Sequence, residues 1–475
     1  MSQLSAARPG LVRGLGLAAA TSVVVGSVIG TGVFLKTRVM MCNVDSPWLV
    51  IAAWLVAGLL SLAGALSYGE LAAMMPEAGG EYVFIREGYG RPLAFLYGWT
   101  QFAVAYSGSQ AAKGVGFAIF LDAVAGGSLQ HTFFTLHLFG LSIPFGVIQV
   151  IALAAIIAGA VVNCLAITVG GRISVFLTSL KIVIVIGVGL GAFLLARGSW
   201  DHMSLSAAGA ACEGVAATAR GGLAGFGAAL VGALWAYDGW TNATTVAGEV
   251  KNPQKVMPIA LIGGTAIVGA LYVFVNAAYL YVLTPEAIGN VSLTSSVATE
   301  VVRQFLGPTA VALVAVAMLI STVGTLHTGT MAGARISYAM ANDGLFFETM
   351  GQVSERTRVP VNALLWQCLW SCVLALSGSY DTLTDYVIFA AWIFYGLNTA
   401  SVLILRRTRP AAERPYRTVG YPFVPLVFIL VAVWLFVNTL TATPRQAIAG
   451  LGIILIGLPV YLYWARGQRN PQSAA

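Results

Sequence analysis

The chain of 475 residues is unusually apolar, since 58% of its residues are hydrophobic and only 9% are charged. Soluble domains carry about 25% charged residues, so this composition excludes a soluble globular protein. The formal net charge of +7 suggests a nucleic-acid partner, but the positions of the basic residues, described below, exclude one.

Long apolar blocks follow one another along the sequence, and they are long enough to cross a bilayer as helices. In chain order the predicted spans cover residues 12–41, 47–74, 93–121, 143–166, 172–196, 223–247, 257–283, 309–341, 361–378, 383–405, 422–440 and 446–465. The segments between them are mostly short, so no second soluble domain is predicted. The first block is too long for the apolar region of a cleavable signal peptide and is predicted to be a true span.

Basic residues lie mainly on one side of the predicted spans. With the N-terminus inside, seventeen Lys and Arg residues fall in cytoplasmic segments and six in outer segments, while Lys113 and Lys181 lie within spans. This asymmetry predicts that both termini are cytoplasmic. The excess of basic residues is therefore explained by the orientation of the chain in a lipid bilayer, and no nucleic-acid partner is predicted.

The first span contains three closely spaced glycines, Gly26, Gly30 and Gly32, in the stretch GSVIGTGVF (26–34). Each glycine weakens a helix by roughly 1 kcal/mol relative to alanine. Backbone groups freed within hydrocarbon are costly unless they line a cavity or bind a ligand. The alternative is that the glycines form a small-residue face for helix packing.

The sixth span is interrupted by Asp238-Gly239 in the stretch ALWAYDGWTN (233–242). Glycine-interrupted spans in corresponding positions of two halves are typical of secondary transporters built from inverted repeats, whose substrates bind at the interruptions. The matching break five spans after the first favours broken helices over a packing face. The pattern therefore predicts a small-molecule transporter.

Five stretches of the chain resemble a known family. The chain resembles the amino acid–polyamine–organocation superfamily and, within it, the L-type amino acid transporter family. The resemblance runs in order from about residue 12 to 465 and is carried by GSVIGTGVF (26–34), GALSYGELAAMMPEAGGEYVFIREGYG (64–90), LWAYDGWTNATTVAGEVKNPQKVMPIA (234–260), GARISYAMANDGLFF (333–347) and LRRTRPAAERPYRTVGYPFVP (405–425).

This resemblance implies an all-α, multi-pass membrane fold of twelve helices, with a core of two inverted five-helix repeats in which helices one and six are discontinuous. The implied divisions are a cytoplasmic tail (1–11), the ten-helix core (12–405, with repeats 12–196 and 223–405), two peripheral helices (422–465) and a second cytoplasmic tail (466–475). The implied activity is sodium-independent amino acid transport, usually by obligatory exchange, with no cofactor.

The two broken helices suit the two charged ends of an amino acid. Unpaired N–H groups at the start of an outer half-helix attract the carboxylate, and free carbonyls at helix C-terminal ends attract the ammonium. The resemblance implies a substrate-binding set of Ser27, Val28, Ile29, Gly30, Thr31, Gly32, Trp235, Ala236, Asp238 and Gly239. Trp235 would also form a thin outer gate; the alternative is an indole that faces lipid or the protein core.

Lys181 lies about nine residues, or some 13 Å, from the inner end of the fifth span. A lone ammonium at that depth is expensive and usually functional. By the resemblance, it replaces a bound sodium ion, with the carbonyls near Gly26 and the hydroxyls of Ser321 and Thr322 as its partners. A buried lysine can also carry a proton, and snorkelling towards the membrane surface is a further alternative.

Two other polar residues within spans leave alternatives open. Lys113 either faces the side-chain end of the pocket, where it would favour polar or acidic substrates and pair with Asp238, or extends outward to the membrane surface. His327 either senses protons near the transport path or donates a hydrogen bond between helices.

Acidic and basic residues in the inner segments resemble gate or anchoring residues. Glu249 and Lys251, in GEVKNP, resemble a gate-side salt bridge, and similar roles are predicted for Glu70, Glu77, Glu81 and Arg335. No catalytic triad, phosphate loop or metal-ligand cluster is present in the sequence, so neither an enzyme nor a metal site is predicted.

The positions of the cysteines indicate which disulfide bonds the chain can form, within itself or with a partner protein. Cys42 and Cys212 both fall on the outer side in the predicted topology and can pair, although sequence alone does not decide this. Animal members of the family bond a glycoprotein heavy chain through a cysteine between the third and fourth spans, and residues 122–142 contain none. The chain is therefore predicted to be a stand-alone carrier of the bacterial inner membrane, without a disulfide-linked heavy chain.

Three functions remain in competition. The first is a sodium-independent amino acid exchanger. The second is a proton-coupled amino acid symporter in which Lys181 or His327 carries the proton. The third is a channel or a sensor that does not transport.

Overall fold

The computed structural model describes residues 10–138, 141–292, 295–377, 380–442 and 444–468. These residues are predominantly helical. The α-helices, numbered in chain order, are α1 (Leu17–Val28), α2 (Gly32–Val44), α3 (Pro47–Met74), α4 (Glu81–Tyr89), α5 (Arg91–Thr100), α6 (Tyr106–Val124), α7 (Val147–Asn163), α8 (Ile167–Leu195), α9 (Gly222–Ala236), α10 (Asn242–Thr245), α11 (Pro253–Val282), α12 (Pro285–Gly289), α13 (Val297–Leu306), α14 (Ala310–Asn342), α15 (Val361–Ser377), α16 (Tyr380–Thr408), α17 (Phe423–Ala442) and α18 (Pro444–Gln468).

Each predicted span contains helix, and the apolar blocks locate most helix ends to within a few residues. Three spans are not single helices. The first divides into α1 and α2, the third into α5 and α6 around a π-helical turn at Gln101–Ala105, and the sixth into α9 and the short α10.

Several helices have the length and apolarity needed to cross a membrane. Within the described ranges they are α3, α8, α11 and the run of α13 and α14 (Val297–Asn342), and α1 with α2 forms one further span bent by 41°. Shorter apolar helices are α7, α9, α15, α17 and α18. The chain is therefore built as a multi-pass membrane bundle with a broken first span.

A β-hairpin in the outer loop between α6 and α7 departs from the predicted all-α fold. Strands β1 (Thr132–Leu138) and β2 (Leu141–Gly146) pair antiparallel. The segment TFFTLHL is rich in β-branched and aromatic residues, which favour strands. A search for long apolar blocks does not detect so short a strand, and residues 132–142 were predicted to be a loop. The prediction that the fourth span begins at residue 143 is wrong for residues 143–146, which lie in β2.

The broken first span lies in the interior of the bundle, because α1 packs against α8, α11 and α14. Beside it, α3 packs along α11, and the ring of Trp54 meets the ring of Tyr272 edge-on with centroids 5.2 Å apart. Both side chains are fully buried. Protein atoms rather than lipid therefore surround the backbone groups that the break exposes.

The outer end of α2 is fastened to the loop between α8 and α9. Cys42 and Cys212 form a disulfide with their Cα atoms 5.6 Å apart, which answers the pairing left open by the sequence. Arg38 donates a hydrogen bond to the carbonyl of Glu213, and Asn43 donates one to the carbonyl of Ala219. Helix α2 is thus tied to the loop between α8 and α9 both covalently and by hydrogen bonds.

Candidate functional site

The break in the first span leaves backbone carbonyls without helical partners. Helix α1 ends at Val28, residues 29–31 are not helical, and α2 begins at Gly32. The last carbonyls of a helix need partners from outside it. In this chain side chains from neighbouring spans supply them.

Lys181 of α8 supplies two of these hydrogen bonds. Its Nζ donates to the carbonyl of Gly26 at 2.7 Å and to that of Ile29 at 2.8 Å, and the lysine is only 2% exposed. The ammonium therefore points into the protein, and snorkelling is wrong. Among the described residues it makes no salt bridge, so backbone dipoles balance its charge.

Helix α14 completes the surroundings of this lysine. Ser321 donates from Oγ to the carbonyl of Ile29 at 2.9 Å. A Cβ atom at Gly324 would lie 2.5 Å from Lys181 Cε, so a side chain there would force the lysine to move. Thr322, predicted as a partner of the lysine, donates instead to the carbonyl of Met318 one turn back in its own helix. The cluster joins the first, fifth and eighth spans at one point.

The break in the sixth span touches the break in the first. Helix α9 ends at Ala236, and Gly239 has φ of +104°, which favours glycine. A Cβ atom at Gly239 would lie 3.1 Å from the carbonyl oxygen of Ser27, and one at Gly32 would lie 2.8 Å from Cβ of Ala236. The glycines therefore allow the two broken spans to approach each other closely.

Tyr272 of α11, which is not among the predicted site residues, bridges the two breaks. Its hydroxyl lies 2.9 Å from the carbonyl oxygen of Val28 and 3.1 Å from that of Ala236. The one phenolic proton is shared between these two acceptors. A tyrosine within an apolar span was the available signal, because a buried hydroxyl needs a hydrogen-bond partner.

A cavity of about 160 Å³ lies at the two breaks. Seven of the ten residues predicted to bind substrate line it, and they are Ser27, Gly30, Thr31, Gly32, Trp235, Asp238 and Gly239. Val28, Ile29 and Ala236 lie behind this lining, and their carbonyls accept the hydrogen bonds from Tyr272, Lys181 and Ser321 described above.

Lys113 also lines the cavity, so of the two orientations left open by the sequence it adopts the inward one. Asp238 lines the same cavity and accepts a hydrogen bond from the Tyr395 hydroxyl at 2.6 Å. The two opposite charges attract each other electrostatically, although no salt bridge joins them among those described. The cavity therefore presents a cation and an anion at separate points.

Further lining residues were not predicted to be in the pocket. Tyr106 donates a hydrogen bond to Asn242 at 2.6 Å, which joins the third span to the start of α10. Glu81, predicted only as an inner gate or anchoring residue, also lines the cavity. Tyr106 carried the same signal as Tyr272, a tyrosine within a predicted span (93–121), whereas Glu81 falls between two predicted spans, where an acidic residue is ordinary.

Trp235 lines the cavity and carries a cation–π contact. Nζ of Lys36 lies 4.3 Å from the centre of an indole ring of Trp235. Such a contact is worth about 0.5–2 kcal/mol. Because Lys36 belongs to α2 and Trp235 to α9, the contact links one half of each broken span.

His327 of α14 lies outside the cavity lining and connects helices. Its Nε2 lies 2.9 Å from the carbonyl oxygen of Gly170, and its Nδ1 lies 3.1 Å from the Asn163 amide nitrogen. With the proton on Nε2, the ring donates to the carbonyl and accepts from the amide. This arrangement favours the interhelical hydrogen bond over the proton-sensing alternative.

A buried ion pair lies on the side of the bundle that is predicted to face the cytoplasm. Arg335 donates from Nε and Nη2 to the two carboxylate oxygens of Glu249 at 2.8 and 3.1 Å, and both residues are at most 1% exposed. Lys251, the partner suggested by the sequence, is exposed, and its backbone N–H bonds to the carbonyl of Leu15. The pair thus joins the sixth and eighth spans, and the segment preceding α1 lies beside it.

Two further glutamates that were predicted to be gate or anchoring residues form ion pairs with arginines. Glu70 accepts hydrogen bonds from Nε and Nη2 of Arg406, and Glu77 forms an ion pair with Arg86 at 3.1 Å. In the described parts of the chain, no group of three or more His, Cys, Asp or Glu residues has an arrangement that could hold a metal ion.

Comparisons with known proteins agree with this geometry. The amino acid permease family matches residues 15–459. The chain is 30% identical over 456 residues to the serine/threonine exchanger SteT of Bacillus subtilis, covering 95% of this chain and 97% of that protein. It is 28% identical over 453 residues to the b(0,+)-type amino acid transporter 1 of Mus musculus (95% and 88% covered) and 27% identical over 463 residues to the cystine/glutamate transporter of Homo sapiens (97% and 87% covered).

The family match covers both broken spans, the cavity and the buried ion pair. The chain therefore belongs to the amino acid permease family of the amino acid–polyamine–organocation superfamily, and is a multi-pass membrane transporter of amino acids rather than an enzyme.

Proposed function

We propose that this protein exchanges amino acids across the membrane by alternating access, without sodium. The observation that carries the proposal is the Lys181 ammonium on the carbonyls of Gly26 and Ile29. These carbonyls and the Ser321 hydroxyl are oxygen ligands of the kind that a sodium ion needs, and the lysine already supplies them with a positive charge. The relative that is named a serine/threonine exchanger supports the same mode of transport.

The substrate's head group would bind at the two breaks. The N-terminus of α2 at Gly32 offers free N–H groups and the positive end of a helix dipole to the α-carboxylate. The ammonium would bind to carbonyl groups near Ser27 and at the end of α9 near Trp235. Backbone groups recognise what all amino acids share, so this part of the site selects for amino acids in general.

Lys113 and Asp238 would select the side chain. The inward ammonium of Lys113 favours substrates with polar or acidic side chains and opposes cationic ones, because like charges repel in a site with little water. Asp238, already hydrogen-bonded by Tyr395, would keep Lys113 charged when the pocket is empty.

Two gates would alternate. Trp235 would close the outer side over a bound substrate, supported by Lys36. The Glu249–Arg335 pair would close the inner side. Opening inward requires this buried pair to separate or move as a unit, whereas opening outward requires the indole to swing away.

The full architecture is also part of the proposal. We propose twelve spans, with residues 12–196 and 223–405 as inverted repeats, 422–465 as peripheral helices, and the tails 1–11 and 466–475 in the cytoplasm of a bacterial cell. The breaks between α1 and α2 and between α9 and α10 support the repeat, since they fall five spans apart. The absence of cysteine from residues 122–142 supports a carrier without a disulfide-linked heavy chain.

Counterflow in proteoliposomes tests this function. Vesicles loaded with unlabelled L-serine should take up external labelled L-serine, and empty vesicles should take up little. Replacing sodium with choline should leave uptake unchanged. Uptake into empty vesicles driven by a pH gradient would instead favour a proton symporter, and non-saturating flux would favour a channel. Repeating the assay with all twenty amino acids would identify the substrates.

A further inference from the structure

Glu81 is a buried carboxylate that lines the cavity but belongs neither to the proposed head-group site nor to the two proposed gates. It lies at the start of α4, between the second and third spans, and is 2% exposed. Tyr68 donates to one carboxylate oxygen and Tyr97 to the other, each at 2.9 Å. Asn398 of α16 lies 3.5 Å from the first of these oxygens. A single carboxyl therefore connects α3, α5 and α16.

Glu81 differs from the two other buried glutamates whose partners are described. Glu70 is paired with Arg406, and Glu249 with Arg335. No ion pair among the described residues includes Glu81, and its hydrogen-bond donors are neutral. An isolated buried carboxylate is costly, and such a group reduces the cost by taking up a proton.

In the described part of the chain no cation forms an ion pair with Glu81, and Lys113, the cation of the cavity lining, is attracted to Asp238. The titratable groups around it on the second, third, sixth and tenth spans are Tyr68, Tyr97, Tyr106, Asp238 and Tyr395. On α14, the charge of Arg335 is held by Glu249. Burial raises the pKa of the Glu81 carboxyl to about 7, an effect that hydrogen bonds from Tyr68, Tyr97 and Thr241 oppose and that the charge of Asp238 strengthens.

We propose that Glu81 is a proton-binding site in the wall of the pocket and that its protonation state sets the rate of exchange, an inference that rests on the proposed exchange function. The ionised carboxylate accepts charge-assisted hydrogen bonds from helices that must move relative to each other during alternating access. Protonation replaces these bonds with weaker neutral ones. Exchange is therefore faster with Glu81 protonated, and acidification accelerates transport without a proton gradient as its driving force.

The first test measures protonation directly and does not depend on transport. Infrared difference spectra of the purified wild-type protein, recorded across a pH titration, should contain a carboxylic acid C=O band that disappears as the pH rises through about 7. Glu81→Gln should lack this band, whereas Glu286→Gln, which changes an exposed acid on the outer helix α12, should retain it. A spectrum that is the same in the wild type and in Glu81→Gln would overturn the proposal.

The second test measures counterflow of L-serine with equal pH on both sides of the membrane. The protonated fraction of a group with a pKa of about 7 falls about tenfold between about pH 6 and pH 8. Wild-type and Glu286→Gln exchange should slow several-fold over this range, whereas the rate with Glu81→Gln should stay nearly constant. A Glu81→Gln profile that falls with pH as the wild-type profile does would contradict the regulatory role. A wild type that exchanges none of the twenty amino acids would contradict the exchange function itself.

A second variant covers the case in which Glu81→Gln does not fold. Tyr97→Phe removes one donor to the carboxylate but retains the ring that packs edge-on against Phe394. Because a lost donor destabilises the ionised form, the C=O band and the midpoint of the exchange profile should both shift to higher pH. A shift to lower pH, or no shift, would overturn the proposal.

Discussion

The Nζ atom of Lys181 lies 2.7 Å from the carbonyl oxygen of Gly26, so a charged side chain of α8 holds the end of a broken helix in the first span. The same ammonium bonds to Ile29, one turn further on. Unlike a bound metal ion, the lysine is covalently part of the protein and cannot diffuse away. In the proposed mechanism the break therefore needs no bound sodium ion to hold its shape.

Lys181→Ala should reduce amino acid exchange at least tenfold. It removes two charge-assisted hydrogen bonds, each worth about 1.5–3 kcal/mol, and leaves the carbonyls of Gly26 and Ile29 poorly satisfied. The counterflow assay in proteoliposomes measures the loss. Lys255→Ala, at an exposed lysine near the start of α11, is the control and should exchange normally. Wild-type rates in Lys181→Ala would show that the lysine has no role in transport.

Gly324→Ala should reproduce the defect of Lys181→Ala although it changes no charged group. The added methyl group would lie 2.5 Å from Lys181 Cε and would push the ammonium away from the first span. Gly263→Ala is a matched control, because a Cβ atom there meets no atom within 4 Å and the residue also lies inside a helix. Equal counterflow rates in these two variants would contradict the proposed role of the lysine's position.

The helices and the location of the breaks follow from the sequence because the hydrocarbon core of a membrane restricts which segments can cross it. A span needs a long apolar block, and glycines that interrupt it are costly without a function. The residues around Gly26 and Asp238-Gly239 were therefore identifiable before any coordinates. The inward orientation of Lys113 was not, because a lysine eight residues from a helix end can reach either the pocket or the membrane surface.

Partners between distant segments were the least predictable part of the site. Glu249 pairs with Arg335, which lies 86 positions away, rather than with the nearby Lys251. Tyr272 meets two carbonyl groups that are brought together only when both breaks form. These contacts depend on how the helices pack, and one sequence without related sequences contains no information on which of several buried polar residues will meet.

Lys113→Gln should change which amino acids the protein prefers while leaving exchange of small neutral substrates intact. The ammonium lines the cavity beside the opposite charge of Asp238. Without it, binding of acidic substrates should weaken about tenfold, corresponding to about 1.4 kcal/mol, and cationic substrates should bind better to the remaining aspartate. Inhibition of labelled L-serine counterflow by L-glutamate, L-glutamine and L-lysine measures the change. Lys113→Arg retains the charge and should preserve the wild-type order of inhibition by the three amino acids. The same order of inhibition in Lys113→Gln as in the wild type would show that Lys113 does not contact the substrate side chain.

Removing one member of the Glu249–Arg335 pair should be worse for stability than removing both. Glu249→Gln leaves a buried guanidinium without its anion, and breaking such a pair costs about 3–5 kcal/mol, whereas replacing both charges with apolar residues of similar volume is often neutral. The double variant Glu249→Leu with Arg335→Met should therefore unfold at a higher temperature than Glu249→Gln, as measured by intrinsic fluorescence of the protein in detergent. Both variants should exchange slowly. The double variant regains stability, but it still lacks the ion pair that closes the inner side in the proposed mechanism. Wild-type exchange in the double variant would show that the pair serves folding alone.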